Sequence, residues 1–230
     1  MSLDITFCVM YHDGDAHYVE ECIQSLPPEA PKVIMHTKTT EDGLYYTSLV
    51  SQEGGITFLE YGATEFHFAN ARNAMIEWAK TAWIMMIDAD ERLVVAQHKQ
   101  FAELPEYPPE IMGIKSYNTG YCIDGGVQHY HMPQVKIFRN NGLRYFGSAH
   151  ETINGEIELR GGQIVDSDMI VYHVGYAQAT QEELQNKIRR NVDLLLLNSR
   201  EWLARKDYVP HYYRVLYKEI KYLMEKNDGT

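Results

Sequence analysis

The chain has 230 residues, 45% of them hydrophobic, and carries a net charge of -11 at pH 7. That length suits one large α/β domain, or a smaller one with a helical appendage. The acidic balance disfavours an extended phosphate-neutralising surface of the kind that sequence-independent DNA binding needs.

No run approaches the ~18 to 20 apolar residues of a membrane span, and the N-terminus lacks the regions of a signal peptide, so a cytoplasmic protein is expected. Cys8, Cys22 and Cys122 are too scattered for a disulfide framework or a zinc site and read as small apolar core residues. The 17 tyrosines read as mostly structural, each burying a large ring while keeping a polar handle.

The first predicted element is a strand over Ile5 to Met10, followed by the polar turn Tyr11-His-Asp-Gly-Asp15. Val19, Cys22, Ile23 and Leu26 keep the three-and-four spacing of one buried helix face, and Pro27-Pro28 closes that helix. A second strand over Lys32 to His36 leads into a polar loop over Thr37 to Gly43, and a third is predicted over Ile56 to Glu60. A helix follows within Glu65 to Ala79, on the spacing of Phe68, Ala71, Met75, Trp78 and Ala79, with Arg72 and Asn73 near its start. Strand and helix in alternation predict a mostly parallel sheet flanked by helices.

The next strand, Ala82-Trp-Ile-Met-Met-Ile, runs into Asp88-Ala-Asp90-Glu91. A continuous apolar run marks a strand buried on both faces. The acidic cluster should therefore emerge where the strand leaves the sheet, the edge at which open α/β sheets bind ligands. Alternation places Asp88 and Asp90 on one side, about 6 to 7 Å apart. Two hard oxygen ligands so placed suit Mg2+ or Mn2+ holding substrate phosphates. A solvated turn or a helix cap is the plainer reading of the same residues.

From about residue 94 to 180 the helical pattern weakens, and strands are expected over Ile111 to Tyr117, Gln134 to Arg139 and Met169 to His173, as a mixed half of the sheet. Thr180-Gln-Glu-Glu183 has the form of a capping box, with Leu184, Ile188, Val192 and Leu195 as the stripe beyond it. A second stripe, Tyr213, Leu216, Tyr217, Ile220 and Leu223, predicts a closing helix that pairs with the first. The expected organisation is an α/β domain over 1-178 and a C-terminal helical extension over 179-230, the latter packing on the domain or on a second subunit of a homo-oligomer.

Five local sequences stand in a telling order: Phe68-Ala-Asn-Ala-Arg-Asn-Ala-Met75, Trp83-Ile-Met-Met-Ile-Asp-Ala-Asp-Glu91, Lys136-Ile-Phe-Arg139, Gly147-Ser-Ala-His-Glu151 and Tyr172-His-Val-Gly175. Together they resemble the family-2, GT-A type nucleotide-sugar glycosyltransferases, whose motifs include Phe-Ala-x-Ala-Arg-Asn, Asp-x-Asp-Glu and Gly-x-x-His-Glu. The resemblance covers roughly the first 180 residues. It implies a GT-A (Rossmann-like) fold and a metal-dependent, inverting transfer of sugar from a nucleoside-diphosphate donor to a hydroxyl. It also implies residue roles. Asp90 would bind Mn2+ or Mg2+, Asp88 would hold a metal-bound water or the ribose, and His173 would complete the metal shell.

Glu151 would be the general base, with the alternative that it caps a helix starting near Thr152. His150 is open between base, acceptor contact and structural support. Arg72 would offer a planar fork to the diphosphate, or else pair with Asp88 or Asp90 and shape the site. Asn73 would lie among the donor-binding residues, and is expected to brace loops through its amide. Arg139 and Arg144 are each open between phosphate contact and surface charge.

The chain also departs from the family. Met35-His-Thr-Lys-Thr-Thr-Glu41 puts His36 where the family carries a nucleoside-binding Asp, and Tyr11-His12-Asp13 replaces its common Asn-Glu pair. Backbone groups near Val9, Met10 and Tyr11 remain candidates for the nucleoside, with a UDP-sugar favoured. The acceptor is open among glycan, lipid-linked glycan, peptide and nucleobase, the last in the manner of phage DNA-modifying enzymes that need a flipped or single-stranded base. Two other classes fit the same carboxylates: a metal-dependent phosphohydrolase or nucleotidyltransferase, and a non-catalytic nucleotide-sugar-binding module.

Overall fold

The computed structural model describes residues 3–40, 45–64, 67–120, 132–147, 150–174, 181–197, 216–218, 220 and 221. Nine strands form a single mixed sheet in the order β3-β4-β2-β1-β5-β8-β7-β9-β6. They are β1 Ile5–His12, β2 Lys32–Thr39, β3 Tyr46–Glu53, β4 Ile56–Ala63, β5 Trp83–Asp88, β6 Glu91–Leu93, β7 Ile111–Gly120, β8 Met132–Arg139 and β9 Gln163–His173. Strands β4, β2, β1 and β5 run parallel. In the second half, β8 is antiparallel to β5 and β7, β7 is parallel to β9, and β6 is antiparallel to β9.

The central strands β1 and β5 are apolar along most of their length because both faces are covered. From β1, Ile5, Phe7 and Val9 enter one core with Cys22 and Leu26 of the α1 segment, and with Phe101 and Leu104 of the 3-10 turns at Val95–Glu106. Cys8 and Met10 point the other way, into a second core with Ala71, Met75 and Ile76. β5 divides likewise, Trp83, Met85 and Ile87 against Ile84 and Met86. Each such fully buried side chain contributes on the order of 1.5–3 kcal/mol. Burial pushes the thiols of Cys8 and Cys22 up to about 12, so both are inert core residues as expected.

The described helices include α1 Val19–Ser25, α2 Phe68–Ile76, α3 Asn154–Leu159 and α4 Gln181–Leu197, and residues 216–218, 220 and 221 are helical too, within the expected closing helix. The imidazole of His67 accepts the Asn70 N–H and so caps α2. α2 is shorter than the periodicity implied, because Trp78 and Ala79 turn back by single bonds to Met75 and Ile76 rather than continuing the helix. In α4, Val192 and Leu195 are buried, and Leu195 sits in a cluster with Phe68, Phe146, Leu194 and Leu216. The extension thus packs on the start of α2. Cys122, Thr180, Tyr213 and Leu223 fall outside the described residues, as does the expected boundary between 178 and 179.

Three elements depart from expectation. β3 was not predicted: it is exposed almost throughout, so it has no alternation to read, and among the described residues it pairs only with β4. β2 continues to Thr39, where a loop was expected, because Thr37 to Thr39 pair in register with Tyr61 to Ala63. Strand β6 at Glu91–Leu93 lies just beyond the acidic turn, where no element was assigned.

Candidate active site

The acidic sequence leaves the sheet at the C-terminal edge of the parallel strands. Met10 is level with Asp88 across β1 and β5, and the Met10 carbonyl accepts the Ala89 N–H at 3.1 Å. Asp88 ends β5, the chain turns at Ala89 and Asp90, and Glu91 starts β6. The turn is fastened on the far side too, since Glu91 pairs with His173 and the Asp90 carbonyl accepts the Val174 N–H at 2.8 Å. His173 is thereby carried to Asp90, with Nε2 3.3 Å from Oδ2.

Arg72 is the fifth residue of α2, not a residue at its open N-terminal end, and only 8% of it is exposed. Its Nη2 donates to Asp88 Oδ1 at 2.8 Å and its Nε to Glu151 Oε1 at 2.5 Å. The guanidinium also lies 5.6 Å from the centroid of the Tyr145 ring. Of the two roles read for Arg72, the observed geometry is the pairing one: it joins two carboxylates that are 63 residues apart in sequence, by the numbering of Asp88 and Glu151.

Burial alone would raise the Asp88 pKa. The charges of Arg72 and Lys136, the Arg72 hydrogen bond and His173 outweigh it and hold the carboxyl well below the usual range. For Arg72, burial opposes the charge, and Asp88 and Glu151 overcome it.

Glu151 caps no helix. α3 begins at Asn154, its first residue receives no side-chain cap from Ile153, and the Asn154 N–H is accepted by the Thr152 hydroxyl. What positions Glu151 is a short antiparallel bridge between Phe146 and Thr152. His150, just before it, has a φ of 53°. That left-handed conformation is uncommon for a residue with a side chain and concentrates at functional sites. His150 itself is exposed.

Asn73 braces a loop as expected: its Nδ2 donates to the Tyr145 carbonyl at 3.0 Å and its Oδ1 accepts the Tyr145 N–H at 2.7 Å. Arg139 is structural. It donates to the carbonyls of Ile111, Tyr107 and Pro108 and covers the Trp83 ring at 4.4 Å, level with the start of β5 and away from the acidic turn. Arg144 bonds the Leu143 carbonyl and approaches Glu77 at 3.9 Å, a surface role.

The predicted nucleoside residues surround the end of β1. The Tyr11 and His36 rings stack with centroids 4.8 Å apart and planes 10° from parallel. His36 Nε2 is 2.6 Å from Asp13 Oδ1. Val9 and Met10 are held inside the sheet between β2 and β5, and the Tyr11 carbonyl takes the Thr37 hydroxyl at 3.0 Å. Beside Tyr11 opens a cleft of about 510 Å³ lined by Ala16, Val19, Glu20, Ile23 and Gln24.

Sequence reasoning passed over three residues here. Glu91 is 1% exposed, and its Oε2 accepts the Asp88 N–H at 2.9 Å. Lys136 reaches both Glu91 oxygens at 2.6 Å. Arg92 ties the turn to the chain after β1, donating to the carbonyls of Ala89, Glu91 and Tyr18. The first two lay inside quoted motifs, but a pattern does not tell a buried charge from a solvated one.

Among the described residues, no three His, Cys, Asp or Glu side chains converge as a ready-made metal cage. The donor set is nonetheless apt: the two carboxylates of Asp88 and Asp90 suit Mn2+ or Mg2+, and the imidazole beside Asp90 suits Mn2+ the better of the two.

No protein-family model matches the chain. The SPbeta prophage-derived glycosyltransferase SunS of Bacillus subtilis (strain 168) is 25% identical over 184 residues, covering 79% of this chain. The chain spans 42% of that protein's length.

Among solved structures, S. aureus TarS 1-349 superposes with a TM-score of 0.51 at 14% identity, covering 85% of this chain and 66% of that one. Its complex with UDP-GlcNAc gives 0.50 at 12% identity, covering 96% and 72%. The mannosyltransferase PcManGT from Pyrobaculum calidifontis, in complex with GDP-Man and Mn2+, gives 0.51 at 11% identity, covering 100% and 76%. The fold is that of the GT-A glycosyltransferases, as the sequence motifs implied.

Proposed function

We propose that this GT-A chain is the catalytic unit of a metal-dependent, inverting glycosyltransferase that moves a sugar from a nucleoside-diphosphate sugar to a hydroxyl acceptor. The observation that carries this reading is the convergence of Asp88, Arg72 and Glu151 beside the Asp90 and His173 contact, at the edge where open α/β sheets take ligands. The 25% identity to SunS, itself a glycosyltransferase, supports the reaction class. The UDP-GlcNAc and GDP-Man complexes of the structural neighbours support a nucleotide-sugar donor. A uridine donor is favoured, with Tyr11 and His36 flanking the nucleoside.

Asp90, Asp88 and His173 are the residues to hold Mn2+ or Mg2+, which supplies neutralisation of the charge growing on the departing diphosphate. Arg72 fixes the spacing of Asp88 and Glu151, and with it the distance between donor and acceptor subsites. Its Nε–H occupies one oxygen of Glu151, so Oε2 is the proton acceptor. As the acceptor oxygen attacks the anomeric carbon, Glu151 takes its proton. The bond from that carbon to the diphosphate breaks on the opposite face, the nucleoside diphosphate leaves with the electron pair, and configuration inverts.

The test is product analysis with a panel of UDP- and GDP-sugars. Nucleoside diphosphate should be released with Mn2+ and not with EDTA. Glu151→Gln should cut turnover about 100-fold or more while donor binding persists. Release of pyrophosphate or free phosphate without sugar transfer would identify a nucleotidyltransferase or phosphohydrolase. Donor binding without turnover in the wild type would identify a binding module.

A further inference from the structure

The least economical feature of the interior is the ion pair under the acidic turn. The side chains of Glu91 and Lys136 are 1% and 8% exposed, with Nζ 2.6 Å from both carboxylate oxygens. Burying two charges carries a desolvation penalty that their attraction often fails to recover, and apolar residues of similar volume commonly serve stability as well or better. Stability is therefore a poor reason for this pair. Its remaining bonds point elsewhere.

Glu91 Oε2 receives the backbone N–H of Asp88 at 2.9 Å. Oε1 receives Nδ2 of Asn118, which also bonds Gln134. The Glu91 backbone pairs with His173, and the neighbouring Asp90 carbonyl with Val174. One buried carboxylate thus lies at the junction of β5, β6, β7, β8 and β9, and the peptide it grips belongs to Asp88.

We infer that Glu91 and Lys136 are a positioning pair: Glu91 fixes the Asp88-Ala89-Asp90 turn so that both aspartates and His173 present their donor atoms together, and Lys136 holds Glu91 in place. Neither touches substrate. This rests on the proposed metal and donor role of the turn, and it adds that the turn's geometry is imposed from beneath it. A carboxylate accepting a peptide N–H in a buried site gives that peptide one orientation, whereas without it the turn is held only by its remaining bonds to Met10, Arg92 and Val174.

Two double variants separate positioning from bulk stability, each removing both charges so that none is stranded. In Glu91→Gln with Lys136→Met, the amide oxygen can still accept the Asp88 N–H. In Glu91→Leu with Lys136→Met, nothing can. Each is titrated with Mn2+ in the presence of UDP, reading free Mn2+ by electron paramagnetic resonance, with thermal melting as the control for folding.

The Gln variant should bind Mn2+ within about twofold of wild type, and the Leu variant at least tenfold more weakly although folded. Wild-type-like binding by a folded Leu variant would overturn the positioning role while leaving the metal site intact. If the Leu variant does not fold, the Gln variant decides: when it melts like wild type, tenfold weaker binding overturns the claim that the Asp88 hydrogen bond is the operative contact. A wild type that binds no Mn2+ with UDP overturns both this inference and the proposed function.

Discussion

In β1, β2 and β5 the residues with no exposed surface are Ile5, Phe7, Cys8, Val9, Ile34, Met35, Trp83, Ile84, Met85 and Ile87, and the buried polar ones, Thr6, Lys32 and Thr37, bond neighbouring hydroxyls and carbonyls, whereas β6 and β8 bury a carboxylate against an ammonium, Glu91 and Lys136, under the acidic turn. The two halves share one sheet yet bury different chemistry. Where the interior is apolar, the fold is held by packing, which is indifferent to the orientation of any one peptide. Where it is charged, Glu91 and Lys136 bond each other, and Glu91 also accepts the Asn118 amide and the Asp88 N–H, which ties the pair to the turn that ends β5. Rigidity in the first half supports the site; direction in the second half shapes it.

The comparison can be broken by substitutions that ought to separate stability from function. The largest loss of stability is expected for Phe7→Ala, since Phe7 is fully buried and packs edge-on against Phe101 with ring centroids 5.1 Å apart. Removing such a ring costs about 3–5 kcal/mol. The melting temperature should fall by roughly 10 °C, while Mn2+ half-saturation of the remaining folded protein stays put. A changed half-saturation would mean that the apolar half tunes the site as well.

Arg72→Met should cost somewhat less, about 3 kcal/mol in urea denaturation, because it leaves Asp88 and Glu151 without their shared partner. Unlike Phe7→Ala, it should also abolish transfer. Retained activity would remove Arg72 from the organisation of the site.

A smaller effect concerns acid. The folded pKa of Asp88 is depressed, so the stability it contributes is present above its unfolded value of about 4 and is lost as pH falls below that, through the folded pKa. Between pH 4 and pH 2, wild-type stability should therefore drop more steeply than that of Asp88→Asn. Parallel pH profiles of urea midpoint would show instead that Arg72 does not distinguish the ionised from the protonated carboxyl.

The same contrast explains what could be read from sequence. The strands around Ile5, Lys32 and Trp83 were legible because an apolar run buried on both faces writes its own signature, and α1 because Val19, Cys22 and Leu26 share a face. β3 was not: exposed on both sides, Tyr46–Glu53 has no pattern to distinguish it from a loop. At the site, residue types were legible and contacts were not. Asp88, Asp90, Glu151 and His173 stood out as chemistry. The bond from Arg72 to Glu151 spans 79 positions, and that from Lys136 to Glu91 spans 45. No local periodicity encodes such distances. Motif order supplied the neighbourhood, and only the folded chain supplied the pairing, including the finding that Glu151 is held by Arg72 rather than by a helix cap.

The central claim is that the Asp88-Ala89-Asp90 turn holds a donor through a divalent cation. Isothermal titration of a UDP-sugar into wild type and Asp90→Ala, each with and without Mn2+, tests it most directly. Mn2+-dependent binding in the wild type that vanishes in Asp90→Ala, with the variant still folded, is the predicted result. Binding of equal strength in the folded variant, still dependent on Mn2+, would contradict it.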